Sequence, residues 1–101
     1  MPGAEFFWVV PANHPAFPGH FPGRPIVPGV VLLDQAILFA EKLLGTEALR
    51  WQIGNAKFLS PVGPGESLVF SLQPTPRGAI AFTVKSGDRA VASGSLTPPA
   101  P

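Results

Sequence analysis

The sequence predicts a single α+β domain in which an antiparallel sheet wraps around a central buried helix. Three observations carry that expectation. Gly29 to Leu44 is rich in helix formers and apolar on nearly every side of a helical projection. A strand-like stretch precedes it, and strand-like stretches follow it. The last three of these have similar lengths and are joined by glycine-bearing turns, as in a meander. One strand, one buried helix and a run of strands is the element order of an α+β layer fold.

Each element has its own local cause. Glu5 to Val10 (EFFWVV) is aromatic and β-branched and reads as a strand. Pro11 to Pro28 is too proline-rich for a regular element, because each proline removes a backbone donor and restrains its predecessor. So long a loop inside a small domain usually has a function. Pro28 and Gly29 open the helix and Gly45 closes it. Glu41 and Lys42 place only its far end in water. Trp51 to Leu59 reads as a strand, and "SPVGPGES" as a turn. Leu68 to Gln73, Ala79 to Lys85 and Ala90 to Leu96 form the meander, with turns at "PTPRG" and "SGDR". Residues 97–101 (TPPAP) read as a frayed tail.

Composition narrows the function. The 101 residues suffice for one domain, read as 1–101, with a modest core. Only 13% are charged while 46% are hydrophobic, so the chain is short of polar groups to cover itself. A second subunit covering the excess is expected, either another copy or a similar chain. A net charge of +1 with scattered Lys and Arg excludes a nucleic-acid footprint. Without cysteine there is neither a disulfide framework nor a thiolate zinc site. MPGAEFFWVV lacks the pattern of a signal peptide, and the apolar region from Ile26 to Leu44 is broken by Pro28, Asp34, Glu41 and Lys42. A cytoplasmic protein with no membrane partner is expected.

The stretch "HFPGRPIVPGVVLLDQ", His20 to Gln35, concentrates the chemistry. A histidine stands in a stiff Pro/Gly loop, and a carboxylate, Asp34, follows in an apolar helical run past the first turn. An unpaired carboxylate among Leu32, Leu33 and Ile37 is costly, and burial there would favour its protonated form. An imidazole with its ordinary pKa of about 6.5 is mostly neutral at cytosolic pH and can accept a proton. The N–H groups of Gly29 and Val30, at a helix start, are free donors at the positive end of the dipole. His14, beside Pro15, draws no chemical role.

These residues resemble the hotdog-fold 3-hydroxyacyl-thioester dehydratases of fatty-acid synthesis. Asn13, Pro15, Phe17, Gly19, His20, Phe21, Pro22, Gly23, Arg24, Pro25, Pro28, Gly29 and Asp34 fall in that family's order, as does "KFLSPVGPGESL" from Lys57 to Leu68. The acidic position holds Asp34 where the plain dehydratase branch has Glu. Leu38 stands where many members carry Gln, and a Gln occurs at Gln35 instead.

The resemblance implies loss of water from a 3-hydroxyacyl group on acyl carrier protein, giving a trans-2-enoyl thioester. His20 would be the base. Asp34 would be the acid, or would orient the released water. Gly29 and Val30 would hold the thioester oxygen, with the glycine letting the carbonyl come close. Phe17, Phe21 and Leu38 would line an acyl tunnel between two subunits, with His20 of one facing Asp34 of the other. Arg24 is the first candidate for carrier-protein contact, and Arg50, Lys57 and Arg77 could extend a basic rim. No cofactor and no metal are implied. Two other readings stand beside this one. The first is a non-catalytic hotdog subunit that pairs with an active homologue, suggested by the short chain and by Leu38. The second is a hotdog thioesterase, against which the HFPG loop argues.

Overall fold

The computed structural model describes residues 3–11, 26–45 and 50–98. The elements are β1 (Ala4–Val9), α1 (Gly29–Leu44), β2 (Gln52–Phe58), β3 (Ser67–Pro74), β4 (Ile80–Ser86) and β5 (Arg89–Thr97). The expected α+β architecture is present, with one helix packed against a five-stranded antiparallel sheet of order β1-β3-β4-β5-β2. The meander is β3-β4-β5, and β1 and β2 close its two edges. Strand ends differ from the sequence reading by about one residue. Thr97, read with the tail, pairs with Gln52.

Alternation divides the sheet into two faces, because successive side chains of a strand point to opposite sides. Phe70, Leu72, Phe82, Val84 and Leu96 are buried beneath the helix, while Ser71, Thr83 and Ser93 face the other way. The helix answers with Leu32, Ala36, Phe39 and Ala40, which recur on one side at helical spacing and are buried. Phe39 anchors it: its ring stacks on Phe6 at 4.6 Å and meets Phe70 edge-on at 5.2 Å. Gly45 ends the helix in the left-handed region (φ 70°), where its N–H bonds the Glu41 carbonyl. Beyond it, the Trp51 indole N–H donates to the Glu41 carboxylate at 3.3 Å.

The helix is not buried on every side, which corrects the sequence reading. Val30 and Leu38 are 60% and 51% exposed, and Asp34 and Lys42 are exposed on the same stripe. One sheet can cover only one face of a helix, so the second apolar stripe is left open in the single chain.

Candidate active site

The start of α1 is held from below by a turn. The Val27 N–H donates to the Val62 carbonyl at 2.7 Å, which fixes the chain just ahead of Pro28. Pro28 is the extended N-cap (φ −61°, ψ 144°) and offers no side-chain bond. The Val31 N–H turns back to the Pro28 carbonyl at 3.0 Å. Among the described residues nothing accepts from the N–H groups of Gly29 and Val30, and no acidic residue stands in the first turn. A helix start in this state is a pair of oriented donors with positive character.

Glu66 locks the supporting turn. Its carboxylate accepts from the Gly63 N–H at 2.7 Å and the Ser86 hydroxyl at 2.9 Å, and it pairs with Arg89. Its own carbonyl takes the Val10 N–H at 2.9 Å, joining the end of β1 to the same turn. Partial burial pushes the carboxyl up, but the bonds from Gly63 and Ser86 and the Arg89 charge outweigh it and hold the group below its ordinary 4.5. A lowered folded value means stability that is present above the ordinary pKa and lost as pH falls through the folded one. Glu66→Ala is expected to cost about 1–2 kcal/mol at neutral pH, the half-exposed Arg89 adding little. Thermal midpoints of wild type and variant should converge as pH falls below 4.5.

The predicted site residues fall as follows. His20, Phe17, Phe21 and Arg24 lie outside the described residues. Gly29 and Val30 form the helix start. Asp34 stands one turn beyond Val30, about 6 Å along the axis. It is exposed, not buried among Leu32, Leu33 and Ile37. Four-residue spacing puts it in line with Val30 and Leu38, while Leu32 and Ala36 turn to the core.

Phe58, which drew no role from sequence, completes this surface. It lies on the edge strand β2, on the sheet face that carries the helix, opposite buried Ala92. Its ring rests on Gly29: a Cβ placed on that glycine would lie 2.7 Å from Cζ and 2.8 Å from Cε1. A side chain at this position would have to displace the tip of that ring. Ile53 and Phe58 are exposed on the sheet face that carries the helix.

Among the described residues, Arg50, Lys57 and Arg77 do not gather into one rim. Lys57 adjoins Phe58 at the helix start. Arg50 and Arg77 belong to the other end of the sheet, where Gln52 and Ile80 flank the close of β5 and where Trp51 bonds Glu41 in the last turn of the helix. An open groove of about 480 Å³ lined by Glu5, Ser71, Gln73 and Thr83 lies on the face of the sheet away from α1, so it plays no part in this site.

An open helix start, a carboxylate one turn on and an apolar surround stand together on this fold. The chain belongs to the ApeI-like family, described as ApeI dehydratase, which it matches over residues 3–95. The 3-hydroxyacyl-(acyl-carrier-protein) dehydratase FabZ of Chlamydia trachomatis is 39% identical over 101 aligned residues. That alignment covers 87% of this chain and 66% of the relative, so the chain spans just under two thirds of that protein's length. Among solved structures, the dehydratase heterocomplex ApeI:P from Xenorhabdus doucetiae superposes with a TM-score of 0.80 at 25% identity, covering 95% of this chain and 86% of that one. A probable thioesterase from Bartonella henselae shares the fold alone, with a TM-score of 0.71 at 15% identity, covering 95% and 87% of the two chains. No described helix is long and apolar enough to cross a membrane.

Proposed function

We propose that the protein is a cytoplasmic dehydratase that removes water from 3-hydroxyacyl groups carried by acyl carrier protein. The observation that carries this reading is the helix start at Gly29 and Val30, without a partner among the described residues, with Asp34 one turn further along an open apolar stripe. In the elimination, the His20 imidazole takes the C2 proton. The electrons of that C–H bond become the C2–C3 double bond as the C3–O bond breaks. The Gly29 and Val30 N–H groups stabilise the negative charge that builds on the thioester oxygen. Asp34 gives the departing hydroxide its proton, or orients the water it becomes. Every group in this sequence is a side chain or backbone donor of the chain itself.

The site is shared between two protomers. The open stripe of α1 and the edge of β2 are the surfaces that a second copy, or a hotdog homologue, would cover. Covering them turns Leu38 from an exposed residue into tunnel wall. Lys57 joins Arg24 as the candidate contact for the acidic carrier protein, in a salt-sensitive encounter.

Hydration of a crotonyl thioester, the reverse reaction, tests the proposal: the purified protein should turn it over without releasing free thiol. Thiol release would mark a thioesterase instead. The heterocomplex among the similar structures favours one further reading, in which this chain is active only when paired with a homologue. Turnover by the protein on its own rejects that reading.

A further inference from the structure

We propose that Phe58 is a positioning residue of the dehydratase site, setting the side from which the thioester carbonyl reaches the helix start; this rests on the dehydratase reading above. Resemblance alone makes Gly29 a gap left for the substrate. The structure gives that space to Phe58, whose ring atoms Cζ, Cε1 and Cε2 lie 2.7, 2.8 and 3.0 Å from where a Cβ would stand. At these distances a side chain on residue 29 would have to push the ring tip aside.

The ring therefore walls off one side of Gly29. Among the described residues, the N–H groups of Gly29 and Val30 remain without partners. A carbonyl that bonds them must arrive along the N–H direction, with the ring behind the glycine and the exposed Val30 side chain beside it. Phe58 is 51% exposed, so its second face is free to meet the acyl thioester or the facing protomer. β2 holds the ring in place through the Phe58–Ala92 and Lys57–Ser93 pairs with β5. The Leu59 N–H fixes the next residue by donating to the Val91 carbonyl at 2.8 Å. An aromatic beside a glycine sets an approach direction because the ring occupies the space that the glycine leaves open. Strand pairing fixes the backbone that carries the ring, and the glycine has no side chain to compete for that space.

A double-mutant cycle tests this, with kcat, KM and thermal midpoint measured for wild type, Gly29→Ala, Phe58→Ala and Gly29→Ala/Phe58→Ala in crotonyl-thioester hydration. Gly29→Ala drives a methyl into the ring and should lower kcat about 100-fold, as the loss of an oxyanion donor does. Phe58→Ala should lower kcat about tenfold, with KM within about twofold, because orientation rather than binding is lost. The double variant should match Phe58→Ala, about tenfold below wild type, because the methyl then has room. Its thermal midpoint should likewise recover from that of Gly29→Ala. Losses that multiply, to about 1,000-fold in the double variant, would mean that the glycine faces substrate and would overturn the inference. A Phe58→Ala variant that loses only stability and keeps kcat would also overturn it, since the ring would then be packing alone. Wild-type protein that turns over no thioester fails the dehydratase reading itself, a separate result.

Discussion

Replacing His20 by alanine or Asp34 by asparagine is expected to lower enoyl-thioester hydration by about 10²- to 10⁴-fold, the range for loss of a general base or acid. Asp34→Asn keeps shape and volume at an exposed helix position, so its folding should be undisturbed and its effect confined to chemistry. The sharper result comes from mixing. If His20 of one protomer works with Asp34 of the other, neither variant alone has an intact site. A dimer of one His20→Ala chain and one Asp34→Asn chain has one site with both residues and one site with neither. Random pairing makes half the dimers mixed, so co-expression should restore about a quarter of wild-type activity under two-fold symmetry. A site built within one chain gives no recovery on mixing. Wild-type rates in either single variant remove the pair from the mechanism.

The elements of the fold were legible because their punctuation is chemical and local. Pro28–Gly29 and Gly45 bracket the helix in sequence as they do in the structure. Alternation in Leu68–Gln73 and Ala79–Lys85 selects Phe70, Leu72, Phe82 and Val84 for the core, and these are buried. The environment of Asp34 was not legible. An all-round apolar helix looks the same whether its second face meets the same chain or another molecule, and Val30, Asp34 and Leu38 lie on that second face. Phe58 was missed for a related reason. Its contact with Gly29 joins residues far apart in the chain, and only the pairing of β2 with β5 sets it. The one signal available was its place in "KFLSPVGPGESL", the segment that matched the dehydratase pattern. The Glu66 lock hid in the same segment. Its turn was visible, but Ser86 and Arg89 come from across the sheet.

Among the described residues, two exposed apolar patches compete as the place where a second protomer sits, and charge substitutions separate them. One comprises Val30 and Leu38 on α1 with Ile53 and Phe58 at the β2 edge; the other is Phe7 and Val9 on the outer face of β1. The shared site requires the first, since only it adjoins Gly29 and Asp34. Leu38→Glu should therefore dissociate the dimer. Burying an unpaired carboxylate costs several kcal/mol, symmetry counts it twice, and about 6 kcal/mol corresponds to a roughly 10⁴-fold weaker dissociation constant. Sedimentation at micromolar concentration should show a monomer, and thioester hydration should fall with it, because the separated protomer keeps its fold but lacks the facing His20. Phe7→Lys changes the other patch, at a residue 75% exposed on the face away from the helix, and should leave both mass and turnover as in wild type. The reverse pattern, with Phe7→Lys monomeric and Leu38→Glu still dimeric and active, would place the partner behind the sheet. His20 and Asp34 would then have to meet within one chain.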